Sequence, residues 1–391
     1  MTVQSPRDAS ARVKGLSPYL FIELDRARRA LEAEGRDVID LGVGDPDLPT
    51  PPHILARLKA SAEEPANHRY SLTEGLPALR ETIARWYDRR FGVALDPSTE
   101  ILPLLGSKEG IAHLPLALAD PGDAVLVPDP CYPPYRSGAV LAGAEIVSMP
   151  LLEENGFFPD LGAISQKAAR RASLMFLNYP NNPTAATASA EQLQEAVTLA
   201  KEFGFVVAHD AAYSEISFDG HRPVSFLQLP DAKSVGLEFH SLSKTYHMTG
   251  WRIGWACGNA AAIAALTRLK SHLDSGIFQP IQWAGVEALD GDQAPLQQAV
   301  ATYQARRDLL IEGLARAGWQ VPKPAATFYV WARVPGAEPS MAFASRVLHQ
   351  AHVVLTPGDG FGPSGAGYVR VSLTVSNERL QEAVDRLSKI L

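Results

Sequence analysis

Cysteine is nearly missing from this chain: Cys131 and Cys257 are the only two in 391 residues. Two thiols cannot build a disulfide framework, which argues against a small stapled secreted fold and for a reducing, cytoplasmic setting. No stretch supplies about 18 uncharged apolar residues, so no membrane-spanning helix is expected. The N-terminal arm from Thr2 to Ser17 is polar, with Arg7, Asp8, Arg12 and Lys14, and lacks the apolar centre of a signal peptide. Positive charge is not in surplus either. The net charge is −7 with acids and bases interspersed, so nothing resembles a footprint for nucleic acid or an anionic membrane. The ten histidines show no ligand-type spacing with Cys or Glu, and no metal is expected. Internal repeats and low-complexity tracts are absent.

What is present suits a large, loop-rich α/β protein. Hydrophobic residues make up 46% of the chain, ample for a sizeable core and two lobes, and thirty prolines and thirty glycines are spread throughout. Phe21, Leu24, Ala27 and Leu31 recur at helical spacing, as do Leu76, Leu79, Ile83 and Trp86 before Gly92. Between them Val38 to Leu41 reads as a short strand leading into Gly42-Val43-Gly44. A dinucleotide fingerprint is excluded there, because the third glycine and the following helix are missing. The segment reads as a loop whose backbone approaches something closely. Strand-like runs then follow at 101–105, 124–127, 145–149, 174–178, 205–208 and 235–239, with a seventh at 253–257. They alternate with helical segments, one of which, 191–203, carries Ser189 and Gln192 as a capping box and Gly204 as its stop. That alternation predicts a three-layer domain with a mostly parallel seven-stranded sheet covered on both faces.

In such sheets ligands bind beyond the carboxyl ends of the strands. The residues found there are chemically distinctive. Gly106-Ser107-Lys108-Glu109-Gly110 opens a helix, whose free N–H groups make an anion site. Tyr132 offers an aromatic face, and Asn178 to Thr184 a proline-stiffened turn with amide side chains. Asp210 and Tyr213 follow the fifth run. The sixth delivers Ser241-Leu242-Ser243-Lys244, with Arg252 eight positions later. A desolvated lysine near other cations loses its proton more readily and attacks carbonyl carbon to form a Schiff base. Ser241, Ser243 and Arg252 are donors suited to a phosphate. A lysine-reactive aldehyde carrying a phosphate describes pyridoxal phosphate.

Beyond Trp283 the pattern changes to helices at 300–317 and 341–351, strands at 327–332 and 368–372, and a last helix at 377–390. This predicts a smaller α+β domain formed by residues 1–45 and 284–391, set against a large domain of residues 46–283. Arg370 stands in the last strand. Either it faces water from a sheet edge, or it clamps a substrate carboxylate through two parallel hydrogen bonds.

From Gly44 to Arg370 the chain resembles the class I and II aminotransferases of pyridoxal-phosphate fold type I. The resemblance implies that Lys244 carries the cofactor, Asp210 pairs with its pyridine nitrogen, and Tyr213 and Asn182 meet its 3′-oxygen. It further implies Tyr132 for ring stacking, and Ser107, Lys108, Ser241, Ser243 and Arg252 for the phosphate. Arg370 and Gly44 correspond to the α-carboxylate site. Tyr70 resembles the tyrosine that reaches the neighbouring subunit's phosphate, which implies a homodimer. One departure is Ala185, where the family turn has glycine. Within the family, the segments 106–111, 244–252 and 273–279 look closest to the LL-diaminopimelate aminotransferase group, which shades into alanine and aspartate aminotransferases. The implied reaction moves an amino group from an amino acid to a 2-oxo acid such as 2-oxoglutarate. The rival on the same scaffold is a β-lyase or synthase acting on a sulfur amino acid. A cofactor sensor attached to a transcription regulator is less well supported, since too few residues precede Gly44 to form a DNA-binding module. For a substrate side chain, Tyr19, Arg26, Lys108 and Lys270 are all candidates.

Overall fold

Aliphatic and β-branched runs in the first two-thirds of the chain leave no polar face, so they must be buried on both sides. A computed structural model, which describes residues 9–16, 20–336 and 338–391, shows how this is done. Tyr19 and the ends of the polar arm lie outside the described residues. The strands in chain order are β1 (Ile39–Asp40), β2 (Ile101–Leu104), β3 (Ala124–Asp129), β4 (Glu145–Pro150), β5 (Ala172–Asn178) and β6 (Val206–Asp210). They continue with β7 (Gly236–Ser241), β8 (Gly254–Gly258), β9 (Tyr329–Arg333), β10 (Val353–Val354), β11 (Thr356–Pro357) and β12 (Tyr368–Ser372).

Seven of them form one sheet in the order β2-β8-β7-β6-β5-β3-β4. The run β4-β3-β5-β6-β7 is parallel, while β8 is antiparallel to both of its neighbours. Strand periodicity divides the two faces. Val125, Val127, Leu174 and Phe176 face one layer of helices with Ile111, Leu114 and Tyr135. Leu126, Met175, Leu177 and Val207 face the other, with Ile83, Trp86, Leu193 and Val197. Each such side chain fully withdrawn from water contributes about 1.5–3 kcal/mol. Helix ends follow local chemistry: Gly92 and Gly204 close helices 77–91 and 190–203 with φ of 67° and 83°, and the Ser189–Gln192 capping box is formed.

A second core surrounds the three-stranded antiparallel sheet β11-β12-β9 and helices Ala294–Arg316, Ser340–Ala351 and Asn377–Leu387. Ile39 and Leu41 join it from the N-terminal side, where β1 pairs with β10. The water-facing alternative for Arg370 is wrong. Its strand is the middle one of three, and the side chain is 1% exposed. Strand pairing over long sequence distance, which the local pattern does not reveal, put it there.

Candidate active site

The carboxyl ends of β5, β6 and β7 and the face of β9 and β12 enclose one cavity of about 290 Å³. Nine of the expected residues line it: Gly44, Ser107, Tyr132, Asn182, Asp210, Tyr213, Ser241, Lys244 and Arg370. Their sequence separation exceeds three hundred positions, yet the fold delivers them to one volume.

Asp210 ends β6, where the strand carries it into the interior at 5% exposure. Its Oδ2 accepts from the Tyr135 hydroxyl at 2.8 Å and its Oδ1 from the Ala212 amide at 3.3 Å. Burial pushes its pKa up, opposed by those hydrogen bonds. Among the described residues no Lys or Arg forms an ion pair with it. A buried carboxylate in this position calls for a cation from outside the chain.

Arg370 is held between two rings, its guanidinium carbon 4.1 Å from the Tyr329 centroid and 4.8 Å from that of Phe361. Nη1 donates to Asn182 Oδ1 at 2.8 Å and Nη2 to the Gly42 carbonyl at 2.6 Å. Asn182 is fixed in turn by its amide, which donates to Asn178 Oδ1 at 2.8 Å. Asn178 Nδ2 donates to the Asp210 carbonyl at 2.7 Å, so the amide turn and the acid strand form one unit.

Four expected residues do not line the cavity. Ser243 is buried behind it, its amide donating to Ser241 Oγ at 3.2 Å. Lys108 follows Ser107 in the exposed first turn of helix Ser107–Leu118. Arg252 lies against the start of that helix: a β-carbon at Gly106 would collide with Arg252 Nη2. The guanidinium donates to the Leu105 and Thr249 carbonyls at 3.4 and 2.7 Å. The Ser107 helix start and Ser241 line the cavity, and Arg252 lies against that helix start, an arrangement that suits an anion. Tyr70 stands on the outer surface at 88% exposure, in a stretch with exposed Leu72, Leu273 and Phe278.

Ala185 keeps the left-handed backbone that glycine would favour, with φ 57°. Such a residue costs roughly 1–2 kcal/mol. The compensation is local: the Ala185 amide donates to the Asn181 carbonyl at 3.0 Å, and Asn181 Oδ1 accepts from the Thr184 amide and hydroxyl at 2.9 and 2.8 Å.

Lys270 is not available to a substrate, because it is fully buried and paired with Glu109 at 3.0 Å and Asp274 at 2.8 Å. Arg26 is an exposed residue of helix Leu20–Ala33. Sequence reading also missed Tyr135 and Tyr329, while Asn178 belonged to the amide turn it singled out. Tyr135 sits three residues after Tyr132 at the start of a helix, a spacing that could have signalled it. Tyr329 gave no local signal, since its neighbours come from β6, β12 and the Gly44 loop.

The family model for aminotransferase class I and II matches residues 36–387. The chain belongs to that family. It is a pyridoxal-phosphate-dependent aminotransferase, and the buried, cation-seeking Asp210 and the anion-seeking start of helix Ser107–Leu118 fit that cofactor. The chain is 54% identical over 380 residues to LL-diaminopimelate aminotransferase of Moorella thermoacetica, covering 97% of each. Substrate-bound BacF from Bacillus subtilis superimposes with a TM-score of 0.95 at 41% identity, over 98% of each chain. A double mutant of Thermus thermophilus aspartate aminotransferase gives 0.92 at 31% identity, over 99% of this chain and 100% of that one. Among the described residues no helix is long and apolar enough to cross a membrane.

Proposed function

We propose that this aminotransferase takes its amino group to or from LL-diaminopimelate, with 2-oxoglutarate as the exchanging oxo acid. The observation that carries the substrate is 54% identity across 97% of both chains to an enzyme of that name. Alanine and aspartate remain the rival donors, on a scaffold shared with the Thermus aspartate enzyme.

The site roles belong to the same reading. When bound, pyridoxal phosphate supplies the carbon that takes up the amino group and a ring that accepts the electron pair of the Cα–H bond. Lys244 Nζ, on the cavity wall, holds the cofactor and then moves the Cα proton as general base and acid. Asp210 holds a proton on the pyridine nitrogen. Tyr213 and Asn182 serve the 3′-oxygen, and Tyr132 stacks on the ring. Ser107 and Lys108 through their amides, with Ser241, Ser243 and Arg252, bind the phosphate. Arg370 grips the α-carboxylate through its planar fork, with the Gly44 backbone facing it. The pairing of Arg370 with Asn182 Oδ1 and the Gly42 carbonyl supports this, because it presets the fork in the cavity wall.

The division into a large domain, 46–283, and a small one, 1–45 with 284–391, is supported by the core around β9 and β12, which draws most of its side chains from 284–391 and meets the larger unit at Ala212, Tyr213, Ile216 and Phe218. A homodimer with shared sites is supported by the exposed Tyr70, Leu72, Leu273 and Phe278. Tyr70 then reaches the partner's phosphate. A cytoplasmic location accords with the two buried, free cysteines.

The deciding experiment adds single amino acids to the holoenzyme without an oxo acid and follows the visible absorbance. Loss of the band with LL-diaminopimelate and with glutamate supports the proposal. Loss with alanine or aspartate but not LL-diaminopimelate discards that substrate. Release of pyruvate or ammonia from a sulfur amino acid, with no aminated cofactor formed, favours the lyase.

A further inference from the structure

Tyr329 is a phenol of the cavity wall that touches Tyr213 on one side and Arg370 and the Gly44 loop on the other. It is 2% exposed, and its ring is fixed by Phe328, Arg370 and Tyr213, the last in an edge contact with centroids 5.6 Å apart. Its hydroxyl lies 3.3 Å from the Tyr213 hydroxyl and 3.5 Å from the Gly44 carbonyl. Gly44 has φ 70°, and a β-carbon there would collide with the Tyr329 ring, so that glycine is what lets the phenol approach the loop.

We propose that Tyr329 is a positioning residue that sets the strength of Tyr213 as a hydrogen-bond donor. The inference rests on the reading that Tyr213 serves the cofactor's 3′-oxygen. A hydroxyl has one hydrogen to give and turns to suit its partners. In the structure the order runs from Tyr213 to Tyr329 to the Gly44 carbonyl. Once Tyr213 directs its own hydrogen into the cavity, its oxygen is open as an acceptor. The Tyr329 hydrogen then turns from the more distant Gly44 carbonyl to the nearer Tyr213 oxygen. A phenol that accepts one hydrogen bond donates the next more strongly. Burial pushes the Tyr213 hydroxyl well above its ordinary pKa, and the Tyr329 hydroxyl at hydrogen-bond distance pushes the same way, so Tyr213 keeps its hydrogen to donate. The other titratable or charged groups lining the cavity are Asp45 from the Gly44 loop, Tyr132, Asp210 from β6, Lys244 and Arg370 from β12, and all of them are retained when one hydroxyl at position 329 is removed.

The readout is the pH midpoint at which the visible band of the substrate-free holoenzyme shifts. A donor at the 3′-oxygen draws electron density from that oxygen and weakens its hold on the proton it shares with the neighbouring nitrogen, so a weaker donor moves the midpoint up. Tyr329→Phe keeps the ring against Arg370 and loses only the hydroxyl. It should raise the midpoint by roughly 0.3 to 1 pH unit, with a larger rise in Tyr213→Phe. In the double variant the midpoint should equal that of Tyr213→Phe alone. If Tyr213→Phe moves the midpoint and Tyr329→Phe does not, or if the two shifts add, the inference is overturned while the Tyr213 assignment stands. If Tyr213→Phe leaves the midpoint in place, the assignment itself fails and takes the inference with it.

Discussion

Tyr135 donates its hydroxyl hydrogen to Asp210 Oδ2 across 2.8 Å, and burial raises the pKa of both groups. The pair stores an unmet demand for positive charge at the floor of the cavity. An acid whose native pKa exceeds its unfolded value, near 3.9, favours folding while it is protonated. That contribution is complete below about pH 3.9 and is lost as the pH rises through the raised native value. Cofactor-free Asp210→Asn should therefore match the parent near pH 4 and become the more stable protein toward pH 8. With Asp210 paired to the pyridine nitrogen as proposed, adding pyridoxal phosphate should reverse the order at pH 8, because asparagine carries no counter-charge for a pyridinium. Thermal melts of both proteins with and without cofactor test this. A parent that is the more stable at pH 8 without cofactor would contradict it.

On the opposite face of the sheet lies a carboxylate with the reverse character. Glu238 is fully buried, and although burial alone would raise its pKa, His209 and His240 hold it far below the ordinary range. It accepts from Tyr87 at 3.0 Å, Ser225 at 2.9 Å and the Phe226 amide at 2.6 Å, with His209 Nδ1 at 3.1 Å and His240 Nε2 at 2.9 Å. A depressed acid stabilises the fold above its unfolded pKa, and the effect fades as the pH falls toward the native value. Glu238→Gln turns an amide donor onto a ring of donors and should cost about 3–5 kcal/mol at pH 7, read from urea unfolding. The cost should shrink in acid. A loss under about 1 kcal/mol would mean that the network carries no such load.

How much of this was legible in the sequence differs by residue, and the reason is the range of the signal. Lys244, Asp210 and the Ser107 helix start are local features, since strand-end position alone marks them as facing a ligand. Arg370 was ambiguous because its burial depends on β9 and β11, whose pairing partners lie as far as Trp331 and Thr356. Tyr329 was silent, because what makes it notable is contact with Tyr213 and Gly44, 116 and 285 positions away in the chain. Lys270 was misjudged in the same way: it stood as a candidate for the substrate side chain, whereas the fold buries it against Glu109 and Asp274. Local chemistry was readable, and charge pairing between distant segments was not.

Gly106 is the point where Arg252 crosses the start of helix Ser107–Leu118, the proposed phosphate site. Its φ is 77°, and a side chain there would strike the guanidinium. Gly106→Ala should cost roughly 1–2 kcal/mol in stability from backbone strain. Because the collision displaces Arg252 as well, the affinity for pyridoxal phosphate should fall about tenfold or more. Titration of apoprotein with cofactor measures that directly. Unchanged affinity in a destabilised protein would separate Arg252 from phosphate binding.

Arg370 is buried, stacked on two rings and hydrogen-bonded to Asn182 and Gly42, so its shape matters as much as its charge. Lysine keeps the charge but cannot hold Asn182 and a carboxylate with one planar group, nor lie flat between Tyr329 and Phe361. Arg370→Lys should lower kcat/KM by about 10–100-fold, chiefly through a higher KM for both amino and oxo acids. The pH midpoint of the substrate-free visible band should move far less than in Tyr213→Phe, because the role proposed for Arg370 is on the substrate carboxylate. The guanidinium has two donors already committed in the wall, so the lysine variant also loosens Asn182. A dependence on Asn182 follows: Asn182→Ala should weaken the carboxylate site in the parent and have a smaller effect in the Arg370→Lys background. Equal and additive losses would show that the two residues act on the substrate separately.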